Sequence, residues 1–368
     1  MQNNWSREDE DYMRHALSLA KNGIGHVNPN PMVGAILVKN GEIIGRGYHA
    51  RYGEGHAEVN AFKDAKGDVT GATLYVTLEP CSHYGKTPPC AKLIIEKKVS
   101  RVVVAMMDPN ELVAGRGIEM IRAAGIKVEV GLLEEEARKL NEVFLKYIVK
   151  KEPFVVLKTA MSLDGKIATA TGQSQWISCE ESRMQVHRLR NQYMGILVGI
   201  GTVLADNPSL TCRIEGGRNP IRIVCDSHLR IPMDCKLLND KAAQTIIATT
   251  VKPSKELCKK AQVLVFEPDK NGKVPIPQLM KKLGELGIDS ILVEGGSTLA
   301  YSFLEAGCVD KVLAYIAPKL IGGVDAKTPI GGEGVQELDK AWQLEDCSVT
   351  RVGSDFLISG CIKKVKEK

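Results

Sequence analysis

The chain has 368 residues, long for a single core; at roughly 150 residues per domain it has room for two. Hydrophobic residues make up 44% and charged residues 25%, and the net charge of +5 is too small to signal a general nucleic-acid or membrane-surface role. No run of about eighteen apolar residues marks a membrane span, and the acidic start lacks a signal peptide's basic opening, so the ten scattered cysteines read as free thiols or metal ligands in a cytoplasmic protein.

In chain order, Ser6 with Asp9 three positions on predicts a capped helix through Met13, Ala16, Leu17 and Ala20, stopping near Gly23. MVGAILV and EIIGRGY, joined by Asn40-Gly41, predict a hairpin. Helix and strand then alternate. HAEVNAFKDA, CAKLIIEKK and GIEMIRAAG read as helices, TLYVTL, RVVVAM and IKVEVG as strands, and EEEARKLNEVFLKYIV as one long closing helix. This alternation predicts a three-layer α/β domain over residues 1–150.

Pro153 follows, and a second domain is expected over 151–368. Its strands are FVVLKTA, MGILVGI, PIRIVCD, QTIIAT, QVLVF and DSILVEG. Its helices are ESRMQVHRLR, IPQLMKKLGELG and STLAYSFLEAG. A terminal hairpin turns at Gly353-Ser354. The APKLIGG and GGEG runs read as turns without chemistry.

Two stretches carry chemistry. In GHAEVNA, His56 would open a helix; in EPCSHYGKTPPCA, Cys81 follows a strand and Cys90 follows Pro88-Pro89 at a helix start. One imidazole and two thiolates leave a tetrahedral zinc one position short, the mark of a catalytic site with a bound water. Glu58 would then serve as general base and acid over that water. Histidine, glutamate two on, then Pro-Cys and a second cysteine is the zinc deaminase pattern, although eight residues rather than two separate the cysteines here. Two competing readings are a pair of core thiols and a closed structural zinc with His83 as fourth ligand; a redox pair is disfavoured because no Cys-x-x-Cys occurs there. In the second half, ILVEGGSTLA runs from a strand ending at Glu294 through Gly295-Gly296 to a helix opening at Ser297. That turn suits a phosphate, or is plain connection.

PCSHYGKTPPC, NPNPMVGAILV, HAEVNA, VAMMDPN and VAGRG together resemble the bifunctional riboflavin-biosynthesis deaminase/reductase family over nearly the whole chain. The resemblance implies a cytidine-deaminase-like first domain and a dihydrofolate-reductase-like second domain. It implies zinc on His56, Cys81 and Cys90 with Glu58 as proton shuttle, and deaminase substrate contacts from Asn30, His49, Lys86, Asp108 and Asn110. It implies NADPH at Ala160, Trp176, Thr202, Asp206, Ser227 and the run Gly296, Ser297, Thr298, Leu299, Ala300, Tyr301 and Ser302. A sugar phosphate is expected near Ser174, Arg190, Leu210 and Arg213, with Glu294 close to the substrate and Lys158 and Asp206 assisting proton movement; taken alone, Asp206 reads as a turn residue and Trp176 as core. The implied reactions are hydrolytic deamination of a phosphorylated diaminopyrimidine and NADPH-dependent reduction of its ribosyl group to ribityl. The expected partners are this small substrate and further copies of the chain, without nucleic acid or membrane. A nucleoside or nucleic-acid deaminase and a non-catalytic zinc-bearing interaction protein are the other function classes considered. The first would need a basic strand-tracking surface, and the second leaves Glu58 without a purpose.

Overall fold

A computed structural model describes residues 5–84, 88–110 and 114–363. The chain divides into two compact units, Met1–Lys151 and Glu152–Lys368. No helix among the described residues is long and apolar enough to cross a membrane.

The first unit runs α1 (Arg7–Ala20), β1 (Gly34–Lys39), β2 (Glu42–Tyr48), α2 (Ala57–Asp64), β3 (Thr73–Val76), α3 (Cys90–Glu96), β4 (Arg101–Val104), α4 (Arg116–Ala123), β5 (Lys127–Val130), α5 (Glu134–Leu140) and α6 (Glu142–Lys150). Its sheet has the order β2-β1-β3-β4-β5. β1 is antiparallel to β2 and β3, while β3, β4 and β5 are mutually parallel. β2 therefore shares the direction of β3, β4 and β5, and the carboxyl ends of all four lie on one edge. The β1–β2 turn carries positive φ at both Asn40 and Gly41, as a tight hairpin with right-twisted strands requires.

Alternation along β1 makes the three layers. Ala35 and Leu37 pack with Ala61, Ile94 and Ile121 of α2, α3 and α4. Ile36 and Val38 face Met13 and Leu17 of α1 and Phe144 of α6. The α2 backbone lies directly on β2: a Cβ at Gly47 would stand 2.2 Å from the Ala61 nitrogen. Glycine is thus required there, and its absence of side chain fixes where α2, and His56 at its start, can sit.

One element differs from the sequence reading. The long helix over 134–149 is two helices broken at Asn141, which is 1% exposed. Its side chain receives the Met32 N–H at 2.8 Å and donates to the Met32 carbonyl at 3.0 Å. Satisfying that backbone pair takes precedence over an uninterrupted helix.

The second unit runs β6 (Phe154–Ser162), α7 (Glu180–Gln192), β7 (Gly195–Gly199), α8 (Ile200–Asp206), β8 (Ile221–Cys225), α9 (Lys236–Asn239), β9 (Thr245–Thr249), α10 (Lys255–Lys260), β10 (Gln262–Val265), α11 (Ile276–Glu285), β11 (Ser290–Glu294), α12 (Ser297–Glu305), β12 (Lys311–Ala317), β13 (Leu344–Val352) and β14 (Asp355–Ile362). The sheet order is β10-β9-β8-β7-β11-β6-β12-β14-β13. The strands from β10 to β12 are parallel, and the β13–β14 hairpin closes the sheet antiparallel to β12. The near-continuous Val and Ile runs are buried because helices cover both faces. The sequence reading named neither β12 nor α8, α9 and α10; all four are seven residues or fewer, too short for a clear period.

Asp9 ties the first unit together. It closes the capping box with Ser6, and its carboxylate also accepts the Tyr75 hydroxyl at 2.6 Å and Arg101 Nη1 at 2.6 Å. Burial pushes its carboxyl up, but the hydrogen bonds from Arg101, Tyr75 and Ser6 outweigh burial and hold it well below the usual aspartate value of 3.8. A depressed carboxyl contributes stability that is complete above its unfolded pKa and lost as pH falls through its folded one. Chemical denaturation of Asp9→Asn is therefore expected to show a deficit against the wild type at pH 7 that shrinks steadily below pH 3.8.

Candidate active sites

In the first unit, His56 is the N-cap of α2, Cys81 follows β3 and Cys90 opens α3. The three come from the carboxyl edge of the sheet, and one ligand atom from each lies within 4.8 Å of the others. His56 Nδ1 is 3.6 Å from Cys81 Sγ and 3.4 Å from Cys90 Sγ, and the Cys90 N–H donates to Cys81 Sγ at 3.3 Å. The Cys81 thiol is lowered to about 4, first by the hydrogen bond from the Cys90 thiol. Cys90, buried and holding the shared proton, is raised. One thiolate, one thiol that a cation would deprotonate, and one imidazole form a soft three-donor set that fits zinc. His83 is exposed and stands outside the cluster, so a closed four-ligand site with His83 finds no support in the geometry.

Glu58 sits on the first turn of α2 and is 3% exposed. Burial pushes its carboxyl up to about 7, against the pull of His56. His49 is also buried. Its Nδ1 is 3.2 Å from the Gly55 carbonyl, and its Nε2 is 3.2 Å from Asn30 Nδ2. Donation to the carbonyl leaves Nε2 as acceptor for the Asn30 amide, and burial holds the imidazole below its ordinary value, in the neutral form that this pairing needs. The His49 ring meets His56 edge-on at 5.5 Å. The strand hairpin explains this proximity: Asn30 precedes β1 and His49 follows β2, and the antiparallel register brings those ends together. Asp108 follows β4 on the same edge, and its Oδ1 accepts the Asn110 N–H at 2.8 Å. Lys86 lies outside the described residues.

Glu79 was missed in the sequence, although it opens the Glu-Pro-Cys run. Its Oε2 accepts the N–H groups of Asp108 at 3.3 Å and Gly115 at 3.0 Å, and its Oε1 accepts that of Gly117 at 3.1 Å. One buried carboxylate therefore holds the β4–α4 connection against the strand end that delivers Cys81.

In the second unit a cavity of about 1260 Å³ opens along the carboxyl ends of β6, β7, β8 and β11. Lys158, Ala160, Ser174, Arg190, Leu210 and Glu294 line it, as do Thr202, Asp206, Ser227 and the run Gly296 to Ser302. Arg213 is exposed and lies outside the lining. So does Trp176, which is 64% exposed: its ring carries the Arg183 guanidinium at 4.7 Å, and its carbonyl accepts Lys319 Nζ at 2.9 Å. It is neither core nor cavity wall.

Glu294 ends β11 in register with Lys158 on β6. Arg190 of α7 forks onto it, Nε to Oε1 at 2.8 Å and Nη2 to Oε2 at 3.0 Å, and Lys158 Nζ stands 3.9 Å from Oε2. Arg190 Nη1 also donates to the Thr211 carbonyl at 3.1 Å. Three of the five guanidinium N–H groups are thus committed within the protein, and two are left for a ligand. Burial pushes Glu294 up, but Arg190 and Lys158 hold it below the usual carboxylate range. Burial also lowers Lys158. Beyond Glu294, Gly295 and Gly296 have φ of 98° and 74°, and a Cβ at Gly295 would stand 3.0 Å from Thr202 Oγ1. Gly296 caps α12 with no side-chain hydrogen bond, which leaves the first N–H groups of the helix without a capping side chain, and Gly296 to Ser302 line the cavity.

Comparison with known proteins decides the family. Residues 153–358 match the RibD C-terminal domain, and residues 6–106 match the zinc-binding region of cytidine and deoxycytidylate deaminases. The riboflavin biosynthesis protein RibD of Actinobacillus pleuropneumoniae is 51% identical over 95% of this chain and 94% of its own length. That of Bacillus amyloliquefaciens is 45% identical over 98% of each. The chain belongs to the RibD family of riboflavin biosynthesis enzymes. A solved diaminohydroxyphosphoribosylaminopyrimidine deaminase/5-amino-6-(5-phosphoribosylamino)uracil reductase from Thermotoga maritima superposes with a TM-score of 0.87 at 39% identity, covering 97% of this chain and 99% of that one. The protein is thus a bifunctional enzyme, with the deaminase in the first unit and the RibD reductase in the second.

Two outcomes are expected. Cys81→Ala should bring zinc, measured by elemental analysis of the purified chain, from about one per chain to near none. Glu294→Gln leaves two buried cations without their carboxylate and should lower unfolding free energy by about 3 kcal/mol in denaturant titrations.

Proposed function

We propose that the first unit deaminates 2,5-diamino-6-(5-phosphoribosylamino)pyrimidin-4(3H)-one hydrolytically at a zinc ion held by His56, Cys81 and Cys90. The second unit then reduces the ribosyl group with NADPH, giving 5-amino-6-(5-phosphoribitylamino)uracil. The observation that carries this reading is the three-donor cluster with a buried carboxylate beside it, in a chain that matches RibD proteins over nearly its full length.

Zinc, when bound, lowers the pKa of a coordinated water toward neutrality. Glu58 takes the water's proton and delivers it to the departing 2-amino nitrogen, which leaves as ammonia; its burial keeps that proton from exchanging with solvent. His49 accepts one N–H of the Asn30 amide, and so orients the amide's remaining donor and acceptor toward the pyrimidine edge. Asp108, beside Cys81 on the same sheet edge, supplies a further polar contact, and Asn110 shares its turn.

In the second unit NADPH, when bound, would supply the hydride that reduces the ribosyl group. The Gly295-Gly296 turn and the start of α12 would hold its pyrophosphate. Ala160, small and lining the cavity, would leave space for the nicotinamide. Lys158 and Asp206 both line the cavity and are the candidate proton donors; Lys158 is the one held in fixed geometry, by Glu294. Arg190 contributes its two free N–H groups to the sugar phosphate.

Glu58→Gln tests the division of labour. Ammonia release is expected to fall by at least about a hundredfold, zinc content to stay, and NADPH oxidation with the deaminated intermediate to stay near the wild-type rate. Loss of both activities, or of the metal, would count against two separate sites.

A further inference from the structure

We propose that Tyr315 of β12 is a positioning residue of the reductase: its ring holds the Lys158 ammonium in place beside Glu294 in the cavity wall. The inference deepens the reading of Lys158 given above and rests on it.

Strand register sets the arrangement. Lys158 on β6 pairs with Glu294 of β11 on one side and with Leu313 of β12 on the other. Tyr315 stands two positions beyond Leu313, opposite Ala160, so its side chain is on the same face as Lys158, Ala160 and Glu294. Lys158 Nζ lies over the Tyr315 ring, 5.9 Å from its centroid, within the range of a cation–π contact. β12 is itself held between β6 and β14, where Leu357 pairs with Tyr315. Tyr315 is 1% exposed, so the sheet and its packing fix the ring before any ligand arrives.

Charge explains why Lys158 needs a second partner. Arg190 takes both oxygens of Glu294, at 2.8 and 3.0 Å, and leaves Lys158 Nζ at 3.9 Å from Oε2. Lys158 makes no other ion pair among the described residues. All three side chains are largely buried, so two positive charges share one negative charge away from bulk water. Burial lowers the Lys158 ammonium, Glu294 raises it and Arg190 lowers it. His187 of α7 adds little charge, because burial holds its imidazole below the ordinary value. Asp206 of α8 lines the same cavity without pairing with Lys158. The electron-rich face of Tyr315 answers the excess positive charge without adding a second carboxylate.

The ring, not the hydroxyl, is the acting group. The Tyr315 hydroxyl makes no hydrogen bond among the described residues. Burial, and then the charge of Glu294, raise its pKa, so the phenol stays neutral in the working range.

A cation–π contact favours the charged ammonium, and its loss lowers the pKa of Lys158. A reductase that uses protonated Lys158 loses turnover as pH rises through that pKa. With 5-amino-6-(5-phosphoribosylamino)uracil as substrate, the alkaline limb of the kcat profile should move to lower pH by about one unit in Tyr315→Leu. The KM for NADPH should change less than about twofold, which reports an intact cavity. Tyr315→Phe should keep the wild-type limb. A ring-fluorinated phenylalanine at position 315 keeps the shape and weakens the face, so its limb should fall between those two; it also decides the matter where the leucine variant does not fold. A wild-type limb in the leucine or fluorinated variant, or a limb in Tyr315→Phe displaced as far as in Tyr315→Leu, overturns the proposal. Lys158→Met separates this from the reading beneath it: full turnover with the alkaline limb still in place would overturn the role of Lys158 and the proposal together, whereas an unmoved limb in the Tyr315 variants overturns the proposal alone.

Discussion

Strands that share a direction deliver their carboxyl ends to one edge of a sheet, and both sites of this protein depend on that constraint. In the first unit β2, β3 and β4 end on one edge, so the turns that follow them bring His56 and Cys81 together and set Asp108 near Cys81. The antiparallel β1 adds its beginning to the same edge, which is why Asn30 meets His49. In the second unit β6, β7, β8 and β11 end along one cavity. Helices open at these turns, so unpaired N–H groups and side chains from distant parts of the chain face the same space.

Buried carboxylates then fix what the sheet edge has assembled. Glu79 gathers three backbone N–H groups and holds the β4–α4 connection near Cys81. Glu294 is gripped by Arg190 and approached by Lys158, which sets both cations in place in the wall of the second unit's cavity. Each is costly to bury alone and is stable because its partners are oriented donors. The two units use the same device for different ends: the first positions a backbone, the second positions charged side chains.

The candidate metal site was legible because the chemistry of such a pattern is narrow. Few uses exist for a histidine, a glutamate two positions on, and two cysteines placed after strand and proline signals. The reductase site was legible mainly through resemblance, since Gly295-Gly296 before a helix is a common turn. Trp176 and Arg213 stand outside the cavity lining, and Trp176 supports Arg183 on the surface. Nor does Arg190 by itself announce that most of its donors are committed to Glu294 and Thr211.

The sequence by itself determined the alternation of helix and strand, the Asn40-Gly41 hairpin, the Ser6–Asp9 cap and the residue types of the candidate metal site, because these rest on periodicity, turn chemistry and ligand type within short spans. Only the tertiary structure decided that Asp9 also answers Arg101 across 92 residues, that Asn141 breaks a helix to serve Met32, and that His83 is left out of the cluster that Cys81 joins. Those outcomes turn on which buried donor or acceptor lacks a partner once the layers have packed, and local sequence holds no record of that deficit.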